Sequence, residues 1–219
     1  MKQHKTLHRY GLILKASMSQ SALLGLVVLL STLLVVMPAK AAISYNFVSG
    51  PLMAGCTPTA PGSITSFTCA AAITLGVGDE IVVAPNSEVT IKIVGALTTG
   101  VNSKINMDST STLNLITIGA VTMAAGSYVN ANLIATAAVT MGAGSYLSGY
   151  IDTAAGIITI GNNVRMDGSI TTVAGGVTVG NSSFVGGNLQ TVAGIVVIGL
   201  DSYIAGSVAT SAGGITLGI

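Results

Sequence analysis

The chain has 219 residues, enough for one domain with its own core, yet half of it is hydrophobic, only 7% is charged, and it holds 28 glycines and no tryptophan. Five of the eight basic residues (Lys2, Lys5, Arg9, Lys15 and Lys40) precede residue 42 and all seven acids follow it, so the formal net charge of +1 becomes −4 beyond residue 41. Lys92, Lys104 and Arg165 cannot form the basic stripe of a nucleic-acid binder, and the only histidines, His4 and His8, lie in the N-terminal segment, which excludes histidine-dependent catalysis and histidine zinc sites from the remainder.

Residues 1–41 read as a signal segment. A basic leader precedes an apolar run from Ala22 to Met37, and Ala39-Lys40-Ala41 supplies a small-x-small cleavage pattern, so a signal helix cut after Ala41 is expected. The alternative is an uncleaved anchor, for which the run is shorter than the roughly 20 residues a spanning helix needs. Membrane contact is expected through this segment alone, with export to the periplasm, outer surface or medium of a bacterium.

Residues 42–120 carry short β-prone stretches at uneven spacing: Ile73-Thr74-Leu75, Ile81-Val82-Val83, Val89-Thr90-Ile91, Lys104-Ile105-Asn106 and Leu113-Asn114-Leu115. Asp79, Glu80, Glu88, Lys92, Lys104 and Asp108 concentrate charge here, as befits irregular capping coils at one end of a repeat array. Cys56 and Cys69 lie in this region, and export together with an even cysteine count predicts a disulfide between them, the alternative being two free buried thiols.

Residues 121–219 are a repeat. Gly142, Gly161, Gly180, Gly199 and Gly218 stand nineteen residues apart, as do Gly149, Gly168, Gly187 and Gly206, and Thr153, Thr172, Thr191 and Thr210. Each unit reads as three short strands. The first is apolar-Thr-apolar, as in Ile158-Thr159-Ile160. The second holds Tyr146, Arg165, Phe184 or Tyr203, and the third runs from Ile151, Ile170, Leu189 or Val208 to the threonine column. Side chains alternate along a strand, so the aliphatic columns stack inside and the residue between them faces out. Glycines are expected at the corners for their conformational freedom. The reading is an all-β, single-stranded parallel β-helix, a solenoid of three strands per coil with about 4.8 Å between coils. Because the last strand is followed directly by Ile219, the C-terminal solenoid end is expected to self-associate or to meet a protein partner.

Two outward columns are candidates for interaction. Tyr128, Tyr146, Arg165, Phe184 and Tyr203 form one; stacked rings stabilise a solenoid and also fit sugars, a surface polysaccharide among them, or another protein. Thr122, Thr140, Thr159, Thr178 and Thr216, interrupted by Val197, form the other, which fits ordered water or ice. Asp152, Asp167 and Asp201 occupy different columns and read as solvated charge rather than a catalytic set. No catalytic residue, metal site or cofactor is expected.

The coil pattern resembles the bactofilins, polymer-forming bacterial β-helices, although those lack signal peptides. The order of features resembles more closely the N-terminal region of MshQ-type proteins, accessory to the mannose-sensitive haemagglutinin (MSHA) type IV pilus: a signal segment, Tyr45-Asn46-Phe47, Cys56 and Cys69, the step from Leu75 to Asp79, then glycine-rich coils. The resemblance implies a non-catalytic structural or adhesive module accessory to such a pilus.

Overall fold

The computed structural model describes residues 41–47, 52–106 and 108–218. The expected signal helix and Ala39 lie outside the described residues, and Ala41 is the first of them. Among the described residues no helix is long and apolar enough to cross a membrane.

All described secondary structure is β, in three sheets of eight, eight and nine strands, here called A, C and B. Successive strands pass from sheet to sheet. Val121–Met123 lies in sheet C, Tyr128–Asn130 in sheet A and Asn132–Ala135 in sheet B; Val139–Met141 then returns to sheet C beside Val121–Met123. These neighbours are parallel, and the arrangement is solenoid-like. Register follows the repeat columns residue by residue: Ile158 pairs with Val177 and Val177 with Val196, while Ile151 pairs with Ile170 and Ile170 with Leu189.

Before residue 121 the coil is longer. Ile73 pairs with Leu97, Leu97 with Val121, and Asn106 reaches Asn130 across a separation of 24 residues. Part of the extra length enters sheet B, where Glu88–Ile93 and Thr112–Thr117 are six residues long against the expected three to five. The regular third strands also run two residues past the threonine column, to Ala155, Ala174, Ala193 and Ala212.

The core is the stack of inward columns, including Ile158, Ile160, Met166 and Ile170 in one coil, all 0–1% exposed. Alternation places Thr153, Thr172 and Thr191 in the same core at 0% exposure. A buried hydroxyl without a partner is costly; Thr191 Oγ1 donates to the Gly175 carbonyl at 2.9 Å, in the preceding coil, whereas Thr153 Oγ1 and Thr172 Oγ1 make no hydrogen bond.

At the corner from sheet B to sheet C, Gly156, Gly175, Gly194 and Gly213 have positive φ (101–155°), as expected of corner glycines, but the column that ends the apolar-Thr-apolar strands has a different cause. Gly142, Gly161, Gly180, Gly199 and Gly218 do not have positive φ. A Cβ at Gly161 would lie 2.8 Å from the Met141 carbonyl oxygen, and one at Gly142 2.6 Å from Ala125 N. These glycines allow one coil to sit on the next. A second positive-φ position is the turn from sheet C to sheet A, held in successive coils by Gly78, Asn102, Gly126, Gly144, Asn163, Ser182 and Asp201 at φ 54–72°. Short polar side chains tolerate that conformation better than other non-glycine residues do, so the column does not show as a glycine repeat.

The single antiparallel pair among the described residues, Cys56–Pro58 with Ser66–Cys69, forms the first edge of sheet B. Cys56 faces Cys69 directly, with Cα atoms 3.9 Å apart, and the two are bonded. Phe47 and Phe67 pack edge to face beside them, with centroids 4.9 Å apart. Pro58 has no N–H to offer along this edge, which blunts it against further pairing. Thiol labelling of the unreduced protein should find no free cysteine. Reduction should lower the denaturant midpoint by an amount corresponding to about 3 kcal/mol, the loop-closure entropy of the bridge. Two labelled thiols would refute the bond.

Candidate interaction surface

Sheet A brings the predicted ladder together. Lys104 pairs with Tyr128, Tyr128 with Tyr146, Tyr146 with Arg165, Arg165 with Phe184, and Phe184 with Tyr203. Glu80 adds a rung before Lys104, so the outward column continues into the longer coils. Tyr128 and Tyr146 stack with centroids 4.6 Å apart, and Phe184 and Tyr203 with centroids 5.8 Å apart. Between the pairs, the Arg165 guanidinium carbon lies 4.9 Å from the centre of the Phe184 ring. Each ring covers its neighbour, so Tyr128, Tyr146 and Phe184 are half-buried while Arg165 and Tyr203 are exposed. Stacked pairs contribute about 0.5–1.5 kcal/mol each beyond area burial, so the ladder stiffens sheet A and also presents flat rings outward.

Asp167, an exposed residue, ties two rungs together. It stands two residues after Arg165 and shares its face. One carboxylate oxygen accepts from Arg165 Nη2 at 2.8 Å and the other from the Tyr146 hydroxyl. The latter bond, with a smaller contribution from burial, holds the Tyr146 hydroxyl above the usual phenol range. The i, i+2 spacing of Arg165 and Asp167 was the available signal for this cluster. Asp152 and Asp201 are exposed on other elements.

Beyond Asp167, at the corner where sheet A gives way to sheet B, an open groove of about 600 Å³ is lined by Asn132, Tyr150, Asp152, Asp167, Ser169 and Thr171, among others. Sequence reasoning did not bring these together, because the groove forms across three coils and two sheets. Among the described residues no group of three or more histidines, cysteines or acids could hold a metal ion.

Sheet C carries the threonine column in register: Thr74, Thr98, Thr122, Thr140, Thr159 and Thr178, then Val197 and Thr216. It therefore begins two coils earlier than the repeat indicated. Val197, 36% exposed, interrupts it. At the last described coil the column positions Ile215 and Leu217 are 45% and 61% exposed. Comparison of the chain with protein-family models, with curated proteins and with solved structures finds no match.

Proposed function

We propose that the chain is a non-catalytic structural and adhesive module, a single-stranded parallel β-helix of three strands per nineteen-residue coil, exported to the bacterial periplasm or surface and accessory to an MSHA-like type IV pilus. The observation that carries this reading is the outward ladder on sheet A, unbroken from Glu80 to Tyr203 and braced by stacked rings. A rigid row of aromatic faces on an uninterrupted sheet suits contact with an extended partner better than it suits turnover of a small substrate. Signal, cysteine pair and coil order resemble the MshQ-type layout, which supports the pilus setting.

Deleting the gene from its host should lower surface attachment several-fold. Restoring the wild-type gene should recover it. A Tyr128→Ser/Tyr146→Ser/Phe184→Ser variant, secreted at wild-type abundance, should not. Undiminished attachment by the deletion strain would sink the reading.

A bactofilin-like, polymer-forming scaffold is the second reading. The exposure of Ile215 and Leu217 favours it, since a further strand, from this chain or another, would cover both apolar area and open backbone groups. Filaments by electron microscopy that vanish in Leu217→Lys would decide for it.

A further inference from the structure

We infer that the groove at the corner of sheets A and B is a saccharide-binding site, taking sugar units that are neutral or bear an amino group. The inference deepens the adhesive reading and rests on it for biological setting alone.

The shape comes first. At about 600 Å³ the groove falls within the range of roughly 300–1,000 Å³ typical of small-ligand clefts, and it is broadly open to solvent. Asn132, Asp152 and Thr171 stand on strands of sheet B, and Tyr150, Asp167 and Ser169 on the short turns that lead into them, whose backbones are bonded to adjacent coils (Leu133 N to Tyr150 O at 2.8 Å, Ile151 N to Ser169 O at 2.9 Å, Asp167 N to Leu147 O at 3.0 Å), so the groups lining the groove are held at fixed spacing.

The chemistry follows from what each group has left to offer. Asp167 has one oxygen engaged by Arg165 and the other by the Tyr146 hydroxyl, which pins the carboxylate; a carboxylate has about four acceptor sites, so capacity remains for sugar hydroxyls. Asp152 is exposed in the lining and is an acceptor only. Ser169 Oγ accepts the Asn188 N–H at 3.1 Å, leaving its own proton to donate. Asn132 is oriented by the bond from its Nδ2 to Asn114 Oδ1 at 2.9 Å. Hydrogen bonds from hydroxyls to carboxylates are about twice as strong as neutral ones, and fixed partners cost little ordering entropy.

Tyr150 supplies the apolar part. It is 38% exposed in the groove wall and, among the described residues, stacks on no other ring, unlike the tyrosines of the ladder. An open aromatic face beside an array of acceptors matches a sugar ring, which has a C–H face and a rim of hydroxyls.

Charge selects the class. Residues 42–219 carry a net charge of −4, two carboxylates flank the groove, and Arg165, the nearest cation to them in sequence, is already paired. Acidic sugars are repelled, whereas an amino sugar gains a charge-assisted bond.

The test uses the mature protein and three probes: a chitosan oligomer, a cello-oligosaccharide and an oligogalacturonate, titrated calorimetrically. The first two should bind saturably and the third should not. Tyr150→Ala and Asp152→Asn should each weaken binding roughly tenfold, the loss of one buried contact or charge-assisted bond. Both side chains are exposed, so unfolding midpoints should not move, and Thr178→Ala on sheet C should bind as wild type. Absence of saturable binding to both non-acidic probes overturns the inference, as does equal binding of the acidic one or an unchanged Tyr150→Ala. Binding abolished by a chelator would assign the groove to a cation and also overturn it. Sugar binding in a protein whose deletion leaves attachment intact would keep the site and remove the adhesive reading; the reverse pattern would do the opposite.

Discussion

Ile170→Asp will unfold the coils around it, while Thr171→Asp, one position along the same strand, will melt within a few degrees of wild type. Ile170 is 0% exposed and pairs with Ile151 before it and Leu189 after it, both also 0% exposed. No lysine or arginine is buried among the described residues, so a carboxylate there would have no counter-charge. An uncompensated buried charge costs several kcal/mol, much of the stability of a domain this size. The protein does bury one acid, and the contrast is instructive: Asp79, 1% exposed, accepts the backbone N–H of Ile43 at 2.9 Å and of Gly76 at 2.7 Å. The Ile170 position has no such donors, because its neighbours' N–H groups are engaged in the ladder. Thr171 is exposed and pairs with Asp152 and Gln190, so a second acid meets only a screened repulsion of about 0.5 kcal/mol. Thermal scans followed by circular dichroism decide it; equal midpoints would mean that the inside–outside register of sheet B is wrong.

The second large effect is expected at a corner. Gly175 has φ 140° and sits against Gly156 of the preceding coil, so closely that an added Cβ would overlap the Gly156 carbonyl oxygen. Gly194 stands in the same relation to Gly175. Gly175→Ala therefore meets both a forbidden backbone conformation, about 1–2 kcal/mol, and overpacking, about 1–3 kcal/mol. Ser182→Gly tests the other kind of position. Ser182 holds φ 55° in the turn from sheet C to sheet A, and glycine would relieve that cost at the expense of a more disordered unfolded state, for a net gain of about 0.5 kcal/mol. Urea denaturation of the two variants should shift the midpoint in opposite directions. An unshifted Gly175→Ala would mean that the coils are not in contact at that corner.

These two sites also mark where sequence reasoning succeeds and where it stops. Strand identity and register were legible because each column repeats: Val177-Thr178-Val179 under Ile158-Thr159-Ile160 leaves one way to stack them, and the pairings follow it. The ladder from Tyr128 to Tyr203 was legible for the same reason. The cause of the column from Gly142 to Gly218 was not. Conformational freedom and close approach leave the same letter in the sequence, and only the distance from Gly161 to Met141 tells them apart. The left-handed turn was hidden because asparagine, serine, aspartate and glycine share the task at Asn163, Ser182, Asp201 and Gly144. The groove was hidden for a different reason. Asn132, Tyr150, Asp167 and Thr171 repeat nothing, and they meet only because consecutive coils bring distant positions side by side.

The bonds that join coil to coil, such as Gly161 N to Met141 O at 2.8 Å and Val177 N to Ile195 O at 2.9 Å, run between adjacent coils in both directions. Tension between the two ends therefore loads the coil boundaries in series, and each boundary carries only its own few bonds. Under load such a body does not rupture as one piece. It yields one coil at a time from the end inward, each nineteen-residue coil releasing about 60 Å of slack as it straightens. A body built this way absorbs work in near-equal steps, and the bond between Cys56 and Cys69 keeps residues 57–68 from extending.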